Sequence, residues 1–387
     1  MRKRLKVCFF TGSRGEYGAL RWLMKDMRED PAFEVRVVAL GSHLLREYGY
    51  TYRELERDGH KIDAKLPGSF DTRSALSLAK AVGLWTGGAA EALARFQPDL
   101  AIVAGDRYEL LAVVPACVLL LTPIAHISGG EVTEGAIDEQ TRHAVTKMAH
   151  FHFVSNEDFA RRVRRMGEEP WRVKVTGDPG LDTLRRLRPL SRRELEDRLK
   201  LDLLRPTALC TFHSVTLEAG DAERQSREFV SALERVPLQY VVTYPNADQG
   251  SRGIIARLER FARARPDSVR LVPSLGQHAY LSLMRHVRMM VGNSSSGLWE
   301  APSLNLPVVN IGNRQEGRMR AANVIDVACR ADAVAAAMRR ALRYDRSRPC
   351  RNPYGDGRAS ARIRAYVKNV FARKDRETIL KKRFADR

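Results

Sequence analysis

Short apolar runs, each ending in a glycine-rich or polar turn that opens a helix, recur along this 387-residue chain in two successive sets. Leu5 to Phe10 ends in Thr11-Gly12-Ser13-Arg14-Gly15-Glu16-Tyr17-Gly18 before an amphipathic helix from about Ala19 to Met27. Val35 to Leu40 leads into Gly41-Ser42-His43, and Leu100 to Ala104 delivers Gly105-Asp106-Arg107-Tyr108-Glu109. Runs this short read as strands, and strand, turn and helix in repetition build a doubly wound parallel sheet with right-handed crossovers. The expected fold class is therefore α/β, with two Rossmann-like domains.

The first set continues with a weak strand near Ile62–Leu66, a helix from Thr72 to Phe96, and strands at Thr122–Ile127, His150–Val154 and Val173–Thr176. A helix is expected over Asn156–Met166. Residues 1–180 make the first domain, and the highly charged, helical segment 181–204 is the connection. The second domain, 205–356, has strands at Thr207–Phe212, Leu238–Thr243, Val269–Val272 and Met289–Val291, with Pro307–Ile311 as its last clear strand. Helices are expected at Ala331–Tyr344 and Gly357–Phe371, while the tail from Arg373 shows no apolar period. In such sheets ligands bind beyond the carboxyl ends of strands. Two domains with polar groups at those ends imply a site in the cleft between them.

Composition narrows the function classes. No apolar run is long enough to span a bilayer, since Leu110 to Leu121 is interrupted by Pro115. The basic amino terminus runs into a glycine-rich turn and not a cleavage site, so a cytoplasmic protein without a membrane partner is expected. Five scattered cysteines contain no CxxC pair, which argues against a zinc site or a disulfide framework. The net charge of +20 raises nucleic-acid binding. Arginine is spread through nearly every helix without an aromatic-interleaved platform, and a basic surface equally steers small anions. No nucleic-acid partner is expected.

Chemistry concentrates in HISGGEVTEGAIDEQTRHAVTKM, residues 126–148. Gly129 and Gly130 allow close backbone approach to a ligand. Glu131, Glu134, Asp138 and Glu139 offer carboxylates for proton transfer, and Arg142, His143 and Lys147 offer charge to hold them or an anionic substrate. Glu134 and Glu139 are better read as a solvated acidic helix start; Glu131 and Asp138 are candidate acid/base groups, because the glycines and His126 converge on them. Asp106 either caps the following helix or belongs to the same sheet-edge site, which its position favours. Arg14 within its turn suits a phosphate, whereas His43 reads as structural. Gly292-Asn293-Ser294-Ser295-Ser296-Gly297, opening a helix, is a candidate anion cradle within reach of Arg314 and Arg318.

These segments together resemble the hydrolysing UDP-N-acetylglucosamine 2-epimerases and their legionaminic-acid pathway relatives. The resemblance runs from GSRGEYG (12–18) through GDRYE (105–109), the 126–148 segment, PNAD (245–248) and GNSSSG (292–297) to GNRQEGR (312–318). It implies a glycosyltransferase-B-type fold with a C-terminal helical region, about 357–387, packing back on the first domain. It also implies a UDP-sugar substrate, either UDP-N-acetylglucosamine or a 2,4-diacetamido-2,4,6-trideoxy analogue, from which UDP leaves with inversion at C2. No cofactor or metal is expected, and a homodimer or homotetramer is. By similarity Asp106 and Asp138 match catalytic carboxylates and His213 an active-site histidine. Arg14, Ser294, Ser295 and Arg314 match diphosphate contacts, Glu300 the ribose-binding carboxylate, and Val272 a backbone contact to uracil; Arg107 is grouped with the substrate-binding residues. Animal and non-hydrolysing relatives carry a catalytic Glu two residues after the histidine, where this chain has Ser128. Serine cannot do a carboxylate's proton work, which makes Glu131 the candidate replacement. A glycosyltransferase of the same fold is the competing expectation.

Overall fold

Near-continuous apolar strands require cover on both faces, and the computed structural model, which describes residues 4–46, 49–68, 74–133, 137–215, 220–245 and 250–386, provides it twice. The chain divides into one unit of residues 1–185 and 354–387 and a second of residues 186–353. Expectations that fall on Thr72, Glu134 and residues 246–248 lie outside the described residues.

In the first unit β1 (Leu5–Thr11), β2 (Phe33–Ala39), β3 (Ala64–Lys65), β4 (Leu100–Ala104), β5 (Ile124–Ile127), β6 (Phe151–Val154) and β7 (Val173–Val175) form one sheet in the order β3-β2-β1-β4-β5-β6-β7. Every pairing is parallel. Alternate residues of β1 serve opposite faces, as strand geometry demands. Val7 and Phe9 join Leu20, Leu23, Ile363 and Val367 in one core, while Cys8 and Phe10 join Trp85, Leu93 and Val113 in the other. The strand order reverses between β1 and β4, so the loops after these two strands flank the crevice where such sheets take ligands.

The second unit holds β8 (Thr207–Thr211), β9 (Gln239–Thr243), β10 (Val269–Val272), β11 (Met289–Gly292), β12 (Val308–Ile311) and β13 (Val324–Val327), ordered β10-β9-β8-β11-β12-β13. These pairings too are all parallel. The reversal here falls between β8 and β11.

Two expectations are corrected, and two are given detail. The helix after β1 begins at Arg14, well before Ala19, because Ser13 and Glu16 form a capping box. Arg14 is thus the first helical residue and not part of a turn. The charged 181–204 segment is helical as expected, in two pieces, Asp182–Arg186 and Arg192–Leu199. Pro307–Ile311 is not the last strand, since β13 follows it at the sheet edge with a half-exposed pattern that gives little hydropathy signal. The tail contains the helix Arg376–Leu380, capped by Asp375, with Ile379 buried in the first core. Among the described residues no helix is long and apolar enough to cross a membrane.

Candidate active site

Arg142, on the Ile137–Met148 helix, organises the first unit's candidate site. Acidic residues in the first turn of that helix, Asp138 and Glu139, suit its positive end. The Arg142 side chain is 1% exposed, and its guanidinium donates to Asp106, to Glu139 Oε2 at 2.6 Å, to Thr133 Oγ1 at 2.6 Å and to the Glu131 carbonyl at 3.0 Å. One buried cation thereby fixes the loop after β4 against the loop after β5. Glu139 also accepts the Thr133 N–H at 2.7 Å and faces His143 Nε2 at 3.0 Å. Burial pushes its carboxyl up, but the Thr133 N–H, His143 and the Arg142 charge outweigh that and hold it below the usual range. The expected solvated helix start is therefore wrong for Glu139: its charge is held inside this network.

Asp106 does not cap the next helix, whose N-cap position is Glu109. His126 does not converge on Glu131 and Asp138 as expected. Its ring is buried between the Gly105 carbonyl, at 2.8 Å from Nε2, and Thr146 Oγ1, at 3.2 Å from Nδ1. Burial lowers its pKa to about 3, so it is a neutral brace between β5 and the turn after β4. Ser128 takes a left-handed backbone, φ +67°, which a non-glycine residue adopts only when its surroundings impose it. Gly130 has φ +75°, and a Cβ there would stand 2.6 Å from the Phe159 carbonyl oxygen. The side chain of Glu131 lies 3.5 Å from Ser155 Oγ, and both it and Asp138 are half-buried.

Arg14 is 65% exposed, with Glu54 4.0 Å away. Arg107 is paired with the fully buried Glu109 at 3.0 Å. His43 is buried between Thr11 Oγ1 at 3.0 Å and Thr51 Oγ1 at 2.8 Å, which suits the structural reading.

In the second unit Asn293 ties the two strands at the reversal together. Its side chain accepts the His213 N–H at 2.7 Å and donates to the His213 carbonyl at 2.8 Å, while its own carbonyl accepts from Arg314 at 3.1 Å and Gln315 at 2.8 Å. His213 is buried; burial and then the nearby Arg314 charge lower its pKa to about 3. The serines precede only one α-helical turn, Ser296–Trp299, so the helix-end contribution to an anion cradle is smaller than the sequence suggests. Ser295 occupies the N-cap position without a side-chain cap bond, whereas Ser294 Oγ accepts the Ser296 N–H at 3.4 Å. Gly292 is required, since a Cβ there would fall 1.9 Å from the Thr211 carbonyl oxygen. Glu300 ends the turn with its N–H on the Ser296 carbonyl at 3.1 Å. Val272, the last residue of β10, accepts the Tyr244 N–H at 3.3 Å.

The structure thus brings Asp106 and the Glu131 backbone together on Arg142, with Asp138 on the same helix. It gathers His213 and Arg314 around Asn293 next to Ser294. Sequence reading passed over Glu16, Glu109, Asn293 and Gln315. The S-x-x-E spacing from Ser13 to Glu16 was a readable capping signal; nothing in the sequence marks Asn293 as a bridge. Among the described residues no His, Cys, Asp and Glu side chains are grouped to hold a metal ion.

The sequence model described as UDP-N-acetylglucosamine 2-epimerase matches residues 25–368. The GDP/UDP-N,N'-diacetylbacillosamine 2-epimerase (hydrolyzing) of Campylobacter jejuni is 35% identical over 84% of this chain and 85% of its own. The UDP-N,N'-diacetylbacillosamine 2-epimerase (hydrolyzing) of Legionella pneumophila is 33% identical over 94% and 96%. The crystal structure of the Neisseria meningitidis UDP-GlcNAc 2-epimerase bound to UDP-GlcNAc superposes with a TM-score of 0.80 at 18% identity, covering 94% of this chain and all of that one. The Methanocaldococcus jannaschii UDP-GlcNAc 2-epimerase gives 0.75 at 17%, with the same coverage. These likenesses bear out the two-domain, glycosyltransferase-B-type fold. With a family match over most of its length and relatives above 30% identity along most of both chains, this protein belongs to the UDP-N-acetylglucosamine 2-epimerase family.

Proposed function

We propose that the chain is a hydrolysing UDP-sugar 2-epimerase, which eliminates UDP across C1 and C2 and hydrates the resulting 2-acetamidoglucal to a free manno-configured sugar. The observation that carries this reading is the gathering of Asp106, Glu139 and the Glu131 backbone on one buried guanidinium at the edge of the sheet. A protein that only bound a diphosphate would gain nothing from carboxylates there, since they repel it. A glycosyltransferase needs no such cluster, since one general base is enough to deprotonate its acceptor.

The geometry of the substrate class explains the need. In an α-linked gluco-configured sugar the C2 hydrogen and the C1–O bond are axial and antiperiplanar, so a carboxylate can take the proton as diphosphate leaves. The C2 proton is weakly acidic, and departure must be helped by fixed donors where charge develops. Ser294, Ser295, Arg314 and Arg14 are assigned that work. Inversion returns a proton to C2 from the other face, so the site needs more than one acid/base group, and Asp106, Glu131 and Asp138 are assigned to it. Water is added and UDP is lost with no change of oxidation state overall, so no redox cofactor is involved. Glu300 is assigned to the ribose and Val272 to uracil. His213, neutral at physiological pH, serves as a hydrogen-bonding group and not as a cation.

The relatives above 30% identity named for N,N'-diacetylbacillosamine favour a UDP-2,4-diacetamido-2,4,6-trideoxyglucose as substrate. Its product is a precursor class for sialic- or legionaminic-type acids. Leu119, Leu120 and Leu121 are exposed, and so are Leu76 and Leu84, which supports a homo-oligomer. Incubation with each UDP-sugar, followed by NMR, tests the reading. Release of UDP with a free C2-inverted sugar is expected, preferentially from the diacetamido substrate. UDP-sugar left intact, or sugar transferred to an acceptor with retained C2, would contradict it.

A further inference from the structure

Two carboxylic acids are buried together beside the β1/β4 reversal, apart from the Arg142 cluster. Glu16 is 6% exposed and Glu109 fully buried. They close on Gly12, where a Cβ would lie 3.1 Å from Glu109 Cβ and Cγ and 3.3 Å from Glu16 Oε2. Glu16 Oε2 accepts the N–H groups of Gly12 and Ser13 and so holds the loop after β1, while its Oε1 is buried without a hydrogen-bond partner among the described residues.

The charges here do not balance if both acids ionise. Arg107 is the cation on the pair, with Nη2 3.0 Å and Nε 3.2 Å from the Glu109 carboxylate. Among the described residues, the other elements around the pair offer no second cation. Arg14, on the helix of Glu16, points outward near Glu54. His43, on the β2 side, is hydrogen-bonded by Thr11 and Thr51, and burial lowers its pKa to about 4. Asp106, on the β4 loop, is held by Arg142, and Tyr17 by Asp58. Two carboxyls buried together beside one guanidinium resist ionising together, and Glu16, which lacks the ion pair that Glu109 makes, is the one that keeps its proton.

We propose that Glu16 is a positioning residue for the reaction above, acting as a neutral acid beside Glu109 and thereby keeping Arg107 and the Gly12–Ser13 loop set for substrate. This rests on the functional reading just given. Burial, and then the Glu109 charge, outweigh the Gly12 N–H, Arg107 and the Ser13 N–H, and raise the Glu16 pKa to about 8. Ionisation of Glu16 sets two like charges against each other under the substrate edge, so binding should weaken before the chemical step does.

The test compares wild type with Glu16→Gln, whose amide reproduces the neutral acid. In wild type KM should climb above about pH 8, with a limiting slope of about tenfold per pH unit, while kcat holds. In Glu16→Gln, KM should stay level across that range, with wild-type values near pH 7; an unchanged alkaline limb in the variant would overturn the proposal. Carboxyl ¹³C NMR of the glutamate-labelled wild type decides the matter even if the variant fails to fold. A glutamate carboxyl titrating between about pH 7 and 9 supports the neutral acid, and its absence overturns it. Wild type that shows such a titration but turns over no UDP-sugar would contradict the functional reading and leave the proton assignment intact.

Discussion

Arg142 meets groups that the sequence scatters over two loops and a helix, and it does so almost without water. Its value lies in the planar fork, which reaches Asp106 and Thr133 from one nitrogen and Glu139 and the Glu131 carbonyl from the other. A lysine keeps the charge but not the fork. Arg142→Lys should therefore lower kcat by about 10²-fold, because small misplacements of reacting groups have that effect. Steady-state kinetics alongside calorimetric UDP titration would check this, with UDP affinity expected to hold. Glu131 poses a sharper question, since what it visibly contributes to the cluster is its backbone carbonyl. If its side chain does proton work, Glu131→Gln should fold and bind UDP normally yet lose about 10²–10⁴-fold in turnover. Near-normal turnover would leave the residue as a loop anchor. At this scale the sequence was legible in residue type and segment: carboxylates and arginine in 126–148 announce a site. It was less legible in partner choice. The i,i+3 and i,i+4 spacing of Glu139 to Arg142 and His143 was readable, but nothing linear shows that the Thr133 N–H and Asp106 would join them.

The strands and their turns were readable at the element scale because parallel strands buried on both faces leave unmistakable apolar runs, as in Leu100–Ala104. What escaped were elements held by something other than a hydrophobic period. The Arg376–Leu380 helix is one. It buries Ile379 and is otherwise docked by Arg172, which donates to the carbonyls of Ile379 at 2.8 Å and Lys381 at 3.0 Å. The following Lys382 reaches Glu168 at 2.8 Å, joining His152 at 2.9 Å and Lys147 at 2.7 Å on one buried carboxylate. Burial works against that charge, but His152 and the two lysines prevail and lower the Glu168 pKa to about 2. The folded pKa is depressed, so the stability Glu168 contributes is present above its ordinary range near pH 4.5 and lost as pH falls toward 2. Glu168→Gln should accordingly lower the denaturation midpoint at pH 7 and flatten its acid dependence. The loss at pH 7 should be on the order of 3–5 kcal/mol, because buried lysine charge is left unpaired. Chemical denaturation at pH 7 and pH 3 would check both parts.

Over the whole molecule, the two sheets reverse strand order at β1/β4 and β8/β11, and the motifs picked out from sequence border those reversals: Gly12–Arg14 and Gly105–Arg107 in one unit, His213 and Asn293–Ser295 in the other. This agreement was foreseeable, because doubly wound sheets open a ligand crevice beyond the carboxyl ends of the strands at such a reversal. A surface for the proposed self-association was less legible, since apolar residues in the Leu110–Leu121 run read equally as core or surface. With Leu119 80% exposed, Leu119→Lys should shift the mass measured by light scattering toward the monomer. An unchanged mass would move any interface elsewhere. The central claim, elimination through a glucal, is tested most directly by running the reaction in deuterium oxide and examining the free sugar by NMR. Complete incorporation of one solvent deuterium at C2, together with stoichiometric UDP, is the predicted result; a free sugar that keeps its original C2 hydrogen would contradict it.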